Sequence, residues 1–367
     1  MHDVSALSPQ ARASTKPTAN RLRLVLDVRQ SLPAWKQGLF ITGSLAFGLA
    51  ISVAVLAFAG ISPIELGGEL IAVFNADSLR AVLVQAAPLM LVGLAASLAF
   101  RIGFWNLGLE GQMLFGGIFA TGISVYQVGP PLTRLLLMGL ASAVGGALWC
   151  LLAGFLKIRF RVNEIIATLL LNYVAMYFLF HLLYGAWQDA RSAFPQSTPY
   201  QPYERLWDFG FGINSGLIVA IAAIIVAAWL VHFSRLGFYM RIVNANRSMA
   251  RVVGIPIQAV TLWTVAISGA CAGIAGFVNV ASQEGRLTQS FANGYVFSGV
   301  LIAFLSRNDP IVVAVVGFLI AVLFIMGQTL QVFYQIPFTM VQMIEAIIVM
   351  SVASSEFFIR HRIHLIR

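Results

Sequence analysis

The sequence predicts an all-α fold, a polytopic bundle of transmembrane helices, and three observations support that prediction. Hydrophobic residues make up 59% of the 367 positions and charged residues only 10%, too little charge to cover a soluble domain. The apolar residues fall into runs of about 20, the length that a helix needs to cross a bilayer core. The runs lack the alternating pattern of a transmembrane barrel, so helices are expected.

About ten such runs follow one another and define one membrane domain, residues 39–355. They cover 39–60, 79–100, 108–126, 132–155, 164–185, 216–233, 259–280, 291–306, 310–332 and 337–355. The run 291–306 is the shortest and begins with polar residues, so its span is the least well defined by the sequence.

The distribution of Lys and Arg predicts the orientation of the chain. If the basic segment 1–38 lies in the cytoplasm, most of the 23 Lys and Arg residues fall on the cytoplasmic side, including those of the basic tail 356–367. The exceptions are Arg80, Arg134, Arg191, Arg205 and Arg286. Both termini are therefore expected to be cytoplasmic, in a multi-pass membrane protein.

The formal net charge of +9 has the same explanation. Orientation and contacts with anionic membrane lipid account for the excess of basic residues, so a nucleic-acid partner is not expected. Residues 21–29, RLRLVLDVR, mix basic and aliphatic positions. This mixture suits a short helix on the inner membrane face, and a disordered leader is the alternative.

Two loops stand out in the membrane domain. The outer loop 186–215 is rich in Pro and aromatic residues, which predicts ordered irregular chain that covers the outer mouth. The cytoplasmic loop 234–258 has apolar residues at steps of three and four and basic residues between them. This period predicts one or two short amphipathic helices on the membrane surface, and a solvated basic linker is the alternative.

The apolar positions of that cytoplasmic loop are Tyr239, Ile242, Val243, Met249, Val252 and Val253. Gly254 and Pro256 are expected to end the helices.

The motifs of several enzyme classes are missing. The chain contains no GxxxxGK[ST] loop, no HExxH and no GxSxG, so no catalytic residues are assigned. The two cysteines, Cys150 and Cys271, lie in apolar runs without a partner spacing, and no metal site is expected. A membrane enzyme would need such a motif, whereas a passive or partner-driven conduit would not.

Polar residues within the runs are the remaining candidates for function. Glu345 is the only carboxylate near the middle of a run, where a charge costs at least about 2.5 to 3.5 kcal/mol. It faces either a functional cavity or, when protonated, a neighbouring helix. Glu164, Thr168 and Asn172 form one stripe on the fifth run, which lines a polar path or bonds neighbouring helices.

Four further amides lie near the outer ends of runs, where interfacial solvation is the favoured interpretation. They are Asn279, Gln283, Gln328 and Gln331.

The stretch RIGFWNLGLEGQ, residues 101–112, allows two interpretations. In the first it is an inner turn, with Asn106 capping the third span and Glu110 at the positive end of the helix dipole. In the second, its three glycines permit a broken helix or close backbone approach near the path, with Gln112 beside it. Both interpretations remain open at the level of sequence.

The same stretch is similar to a signature of the form RxGxxNxGxEGQ. This signature occurs in permease subunits of bacterial ABC importers for nucleosides and simple sugars. This family lies within the branched-chain amino acid and ribose permease superfamily. Three further stretches agree in the expected order, namely VNEIIATLLLNY at 162–173, GFYMRIVNANRSMARVVGI at 237–255 and SGVLIAFLSRNDP at 298–310. The resemblance covers roughly residues 100–310.

The resemblance implies that the chain is one of two membrane subunits around a central path. A cytoplasmic ATP-binding subunit would drive it, an extracytoplasmic substrate-binding protein would feed it, and the second permease would be a related chain. ATP and Mg would be bound by the partner, with no cofactor in this chain. The cytoplasmic loop would dock on the ATPase through Arg241, Asn244, Arg247, Arg251 and Gly254.

The candidates for the translocation path are Asn106, Glu110, Gln112, Glu164, Thr168, Asn172 and Glu345. The sequence departs from the family pattern at Asn244 and Arg247, where relatives commonly have glycine and proline, and at Glu345, where they tend to have glutamine. A permease for branched-chain amino acids or another small solute is the alternative function. An ion-coupled secondary transporter is a further alternative, for which the sequence offers only Glu345 as a midplane carboxylate.

Overall fold

The computed structural model describes residues 23–28, 33–58, 75–210 and 214–366, together with positions 60, 62 and 68. The helices, in chain order, are α1 (Ala34–Phe58), α2 (Ala76–Arg101), α3 (Leu109–Val125), α4 (Pro131–Phe160), α5 (Glu164–Leu183), α6 (Ser215–Phe233), α7 (Arg235–Ala245), α8 (Arg247–Val252), α9 (Ile257–Asn279), α10 (Tyr295–Leu305), α11 (Pro310–Tyr334) and α12 (Phe338–Arg360). A 3₁₀ turn covers Pro202–Glu204 and a π-helical turn covers Val280–Glu284. The predicted all-α fold is confirmed.

Eight of the helices in the described part of the chain are long and apolar enough to cross a membrane, namely α1, α2, α4, α5, α6, α9, α11 and α12. Two predicted runs form shorter helices, since α3 has 17 residues and α10 only 11. The run 291–306 becomes helical only at Tyr295, because Gly294 before it takes a left-handed φ of +88°. The membrane side of each terminus stays a prediction.

Two short strands flank the helices. β1 (Arg23–Val28) pairs antiparallel with β2 (His361–Ile366), with Arg23 opposite Ile366 and Val28 opposite His361. The expectation of a short helix or disordered chain over 21–29 is therefore wrong for the described residues of this stretch. The pairing with β2 explains the difference, because the sequence around β1 does not show a partner that lies more than 300 positions away.

The two most buried helices are α2 and α9. In their most apolar stretches 83% and 78% of the residues are buried, against 28% in α4. One side of α4 presents large apolar side chains at steps of four residues to the outside of the chain. They are Leu132, Leu136, Leu140, Val144, Leu148 and Leu152. A continuous apolar stripe of this kind suits contact with lipid, so α4 lies at the lipid-facing side of the bundle.

Close backbone contact joins α4 to α9. A Cβ atom at Gly273 would overlap the carbonyl oxygen of Ser142, and one at Gly146 would overlap the carbonyl oxygen of Gly269. Small residues at this spacing let two helices approach closely where lipid removes the hydrophobic effect. This contact fixes the position of α9. Polar side chains of α9 take part in both of the polar regions that are described below.

Candidate functional site

Residues 102–108, here called the re-entrant segment, connect α2 to α3 and enter the bundle. Gly103 takes a φ of +71°, a left-handed conformation that favours glycine. Phe104 is buried near the start of the segment, whereas Asn106 contacts Ser268 in the middle of α9. The structure thus combines features of both interpretations of this stretch, a turn at Gly103 and a helix that begins inside the bundle.

Asn106 is fully buried and connects the re-entrant segment to three helices. Its amide nitrogen donates to Gln112 Oε1 at 3.1 Å and to Ser268 Oγ at 3.2 Å. Its oxygen accepts from Gln112 Nε2 at 2.8 Å and from the backbone nitrogen of Gly108 at 3.1 Å. The hydroxyl of Ser268 in turn donates to the carbonyl oxygen of Ala95 on α2 at 2.7 Å. Asn106, Gln112 and Ser268 are called the Asn106 cluster below.

The first turn of α3 differs from the prediction at one residue. The N-cap is Gly108, without a side-chain capping bond, so Asn106 does not cap α3 in the expected way. The amide of Asn106 is instead engaged by Gln112, which explains the difference. Glu110 does lie in the first turn, where the helix dipole stabilises a carboxylate. Together with Asn172 it lines a cavity of about 200 Å³ beside α3, α5 and α10.

The polar stripe of α5 binds the backbone of the chain around the re-entrant segment. Asn172 accepts a hydrogen bond from the backbone nitrogen of Gly111 and donates one to the carbonyl oxygen of Leu107, both at 2.9 Å. Thr168 Oγ1 accepts from the backbone nitrogen of Leu107 at 3.3 Å and donates to the carbonyl oxygen of Glu164 at 2.7 Å. Irregular backbone inside a membrane needs such partners, because lipid supplies none.

Glu164 forms an ion pair with Lys157 of α4 at 2.6 Å. The structure thus brings six of the seven path candidates to the surroundings of the re-entrant segment, where five of them are bound to other protein groups. Whether they also line the path stays a prediction. Glu345 lies in α12, but its side chain is outside the described residues.

The cytoplasmic loop forms two helices, as predicted, α7 and α8. Ser234 caps α7 by accepting a hydrogen bond from the backbone nitrogen of Gly237 at 3.2 Å. Asn246 separates the helices and caps α8, accepting from the backbone nitrogens of Ser248 and Met249, both at 3.0 Å. Gly254 follows α8 with a φ of +81°, in agreement with its expected role in ending the helix.

All five residues predicted to face the ATPase are exposed, namely Arg241, Asn244, Arg247, Arg251 and Gly254. The apolar side of α7 is buried as predicted at Val243, together with Met240. At the end of the segment, Met249, Val252 and Val253 are 60%, 87% and 62% exposed, and their contact with a membrane surface stays a prediction. Only Ala250 anchors α8 in the core, so its larger apolar residues point outward.

α7 and α8 pack on the chain that opens the re-entrant segment. The buried residues Met240, Val243 and Ala250 share one hydrophobic cluster with Ile102 and Phe104. The side chains of Asn244 and Arg247 approach Gly103, because a Cβ atom there would lie 3.5 Å and 3.7 Å from them. α7 and α8 are therefore in direct contact with the start of the re-entrant segment.

At the other end of the bundle, part of the outer loop is fixed by a buried ion pair. Arg134 of α4 lies 2.9 Å from Glu204, with side-chain exposures of 6% and 2%. Glu204 also accepts a hydrogen bond from Ser124 at 2.7 Å. Tyr200 of this loop is buried, and its hydroxyl lies 2.6 Å from Thr121 Oγ1. Burial raises the pKa of this hydroxyl. The described residues of the loop are thus ordered irregular chain, as predicted.

Three of the amides interpreted as solvated meet in one cavity of about 250 Å³. Asn279, Gln283 and Gln328 line it, whereas Gln331 does not. Gln85 and Tyr295 also line this cavity and were not predicted as candidates from the sequence. A lone glutamine in the long apolar run of α2 was a signal that could have identified Gln85. Tyr295 carried no signal of its own.

No metal centre is formed by the described residues. No group of three His, Cys, Asp or Glu side chains in that part of the chain could hold an ion. Both cysteines are free and buried.

Comparison with known proteins matches residues 78–353 to the family described as branched-chain amino acid transport system, permease component. The glucose ABC transporter permease protein TsgB13 of Haloferax volcanii is 34% identical, over 93% of this chain and 94% of its own. The guanosine ABC transporter permease protein NupP of Bacillus subtilis is 31% identical, over 74% and 79%. The nucleoside ABC transporter permease protein NupB of Lactococcus lactis is 26% identical, over 76% and 81%.

Proposed function

Because the chain belongs to the family of permease components of branched-chain amino acid transport systems, we propose that it forms the translocation path of an ATP-binding-cassette importer. The proposed solute is a nucleoside or a simple sugar, since the three relatives are named for glucose, guanosine and nucleosides. The chain is a transport subunit in this proposal, and ATP is hydrolysed in a partner chain.

The exposed surface of α7 and α8 is the observation that carries the proposal. It combines the exposed Arg241, Arg247 and Arg251 with the exposed apolar side chains of Val252 and Val253. Arg residues and apolar side chains together are typical of protein interfaces, and exposed apolar groups of this size mark sites of association. A cytoplasmic ATP-binding subunit is the partner that this surface would bind.

The mechanism is alternating access driven by that partner. ATP-dependent closure of the ATPase subunits displaces α7 and α8, which pack on Ile102 and Phe104. The re-entrant segment is hydrogen-bonded to α3, α5 and α9, so a shift of this segment is passed to all three helices. The two permease subunits then rock about the central path, and the solute is released into the cytoplasm.

The remaining partners follow from the same proposal. A second permease, a related chain, completes the path, and an extracytoplasmic substrate-binding protein delivers the solute near the outer loop 186–215. ATP and Mg are bound by the cytoplasmic partner, and this chain needs no cofactor. Membrane lipid covers apolar surfaces such as that of α4.

A branched-chain amino acid is the second candidate solute, because the description of the family names it. The binding protein of the same transporter distinguishes the candidates. Calorimetric titration with guanosine, glucose and leucine is expected to show binding of guanosine or glucose and none of leucine. Binding of leucine alone would replace the proposed solute and leave the transport mechanism in place.

The docking surface is tested by charge reversal at Arg241 and Arg251. In proteoliposomes that contain the complete importer, Arg241→Glu with Arg251→Glu is expected to reduce ATP-driven uptake at least about tenfold, because like charges now face the partner. Less ATPase subunit should co-purify with this variant. Its amount in the membrane should not change, because both side chains are exposed.

Arg159→Glu is the matched control, since Arg159 is an exposed basic residue at the end of α4, outside α7 and α8. It is expected to retain uptake. Unchanged uptake in the double variant would contradict the docking surface. Uptake that persists without any ATPase subunit would instead favour an ion-coupled secondary transporter.

A further inference from the structure

The cavity lined by Gln85 and Gln328 lies at the end of the bundle opposite α7 and α8. Asn279 ends α9, the helix whose other end follows α8 in the chain. Gln85 lies nine residues from the start of α2, which is about 13 Å along the helix. The cavity therefore extends from one membrane boundary into the hydrocarbon region. It is called the outer cavity below.

The floor and the rim of the outer cavity differ in their hydrogen bonds. On the floor, Gln85 is buried and its amide nitrogen donates to the hydroxyl of Tyr295 at 2.9 Å. On the rim, Gln283, Asn293 and Gln328 are exposed, and their side chains form no hydrogen bond with the described residues. The rim thus offers amide donors and acceptors that are free to bind another molecule.

An exposed amide below the membrane boundary is unfavourable against lipid, because nothing there can satisfy its hydrogen bonds. On the lipid-facing surface of α4 the exposed side chains are apolar, for example Leu136 and Leu140. The rim of the outer cavity has the opposite composition. This side of the bundle therefore faces water or a polar solute, as the wall of a translocation path does.

The lining also indicates the class of solute. The described residues that line the cavity are amides, a serine, two phenylalanines, a tyrosine and one carboxylate, Glu284, with no Lys or Arg among them. A zwitterionic amino acid would leave its carboxylate without a cationic partner here. A neutral ring with hydroxyl groups suits the amides and Glu284, while Phe291 and Phe324 provide apolar surface for its carbon atoms.

We propose that the outer cavity binds the sugar ring of the transported solute, either a free monosaccharide or the ribose of a nucleoside. This inference rests on the proposed function and adds its solute-binding site. A volume of about 250 Å³ is near the lower end of ligand pockets, about 300 to 1,000 Å³, which agrees with a single ring. Asn293 and Gln328 on the rim bind the ring hydroxyls.

The outer loop supports the chain segment that forms the rim. The backbone nitrogens of Tyr200 and Leu206 donate to the carbonyl oxygens of Gly285 and Ala281, at 2.8 Å and 3.1 Å. The acceptor residues Ala281 and Gly285 lie on either side of Gln283 and Glu284, which line the cavity. A binding protein that contacts this loop therefore contacts a segment continuous with the solute-binding site.

The test compares two glutamines one turn apart on α11. Gln328 lines the cavity and Gln331 does not, so Gln331→Ala is the matched control for Gln328→Ala. Uptake of labelled glucose, guanosine and leucine is measured in proteoliposomes with the complete importer. Gln328→Ala and Asn293→Ala are each expected to raise KM about tenfold for glucose or guanosine, and Gln331→Ala to leave it unchanged.

The substrates separate the possible outcomes. A raised KM for guanosine with no uptake of glucose identifies the ribose of a nucleoside, and the reverse identifies a free monosaccharide. ATP-driven uptake with the same KM in all variants would overturn the cavity as a solute-binding site and leave the proposed function intact. Absence of ATP-driven uptake of all three solutes by the unmodified importer would overturn the proposed function itself.

A labelling experiment gives a second measurement that does not depend on turnover. Cys150 and Cys271 are buried, so a membrane-impermeant thiol reagent should react with neither. Gln328→Cys is expected to react at a rate that saturating solute lowers at least about threefold, while Gln331→Cys is not protected. Equal rates with and without solute at Gln328→Cys would contradict the proposal.

Discussion

The chain contains two concentrations of polar side chains within an apolar bundle, and they differ in how their hydrogen bonds are used. In the Asn106 cluster, the amides of Asn106 and Gln112 bind each other and Ser268, and all three residues are buried. On the rim of the outer cavity, Gln328 and Asn293 are exposed and bind no side-chain partner among the described residues.

The difference shows that the presence of a polar residue in a membrane helix does not reveal its role. The Asn106 cluster stabilises irregular backbone that lipid cannot solvate, and it therefore uses its donors and acceptors within the protein. The outer cavity leaves donors and acceptors free, which is a requirement for binding a changing partner. The hydrogen-bond partners of a side chain separate the two cases where its depth does not.

The largest effect is expected from Asn106→Leu. The change leaves the amide of Gln112 and the backbone nitrogen of Gly108 without their partner inside the bundle, and the hydroxyl of Ser268 keeps only its bond to Ala95. We expect a loss of about 3 kcal/mol in the free energy of unfolding. Denaturation with sodium dodecyl sulfate in mixed micelles measures it.

Asn293→Leu is the control for that change, since it makes the same substitution on the rim of the outer cavity. Its effect on the free energy of unfolding should stay below about 0.5 kcal/mol, because no hydrogen bond is lost. If both variants lose the same free energy, the distinction between the two regions is wrong.

The sequence was sufficient to predict the helices and much of their environment. Length and hydropathy predicted the spans, and the period of 234–258 predicted α7 and α8. These features depend on local composition and period. The strand β1 was missed because its pairing with β2 joins residues more than 300 positions apart.

The roles of polar residues were less predictable, because they depend on contacts between distant parts of the chain. The stripe of Thr168 and Asn172 was recognised, but not its binding to the backbone of Leu107. Gln328 was interpreted as a solvated end of a span, since nothing local shows that it meets Gln85 of α2 across a cavity. Tertiary structure decides between these alternatives.

A smaller effect is expected from Asn172→Ala, because Asn172 forms two hydrogen bonds to the chain around the re-entrant segment. Loss of both should lower the free energy of unfolding by about 1 to 2 kcal/mol. Asn172→Asp should be at least as harmful, because a carboxylate cannot donate to the carbonyl oxygen of Leu107 and repels it. The same denaturation assay measures both.

Ser282→Ala serves as the comparison for Asn172→Ala, because Ser282 bonds only within its own turn, to the carbonyl oxygen of Val278. It should change the free energy of unfolding by less than about 0.5 kcal/mol. A smaller loss in Asn172→Ala than in Ser282→Ala would show that the re-entrant segment does not need α5.

Apart from the control variants, the smallest change in stability is expected from Tyr295→Phe, which removes the hydroxyl that Gln85 binds on the floor of the outer cavity. Water that enters the cavity can replace this hydroxyl, so the amide of Gln85 keeps a partner and the free energy of unfolding should fall by less than about 1 kcal/mol. The phenyl ring keeps its contact with Phe324, whose ring centroid lies 5.8 Å from that of Tyr295. Gln112→Leu in the Asn106 cluster provides the contrast, because its amide is buried with Asn106 and lines neither of the two cavities described above. If Tyr295→Phe destabilises the protein as strongly as Gln112→Leu, the floor of the cavity is closed to water. Its polar groups then stabilise the fold, as those of the Asn106 cluster do.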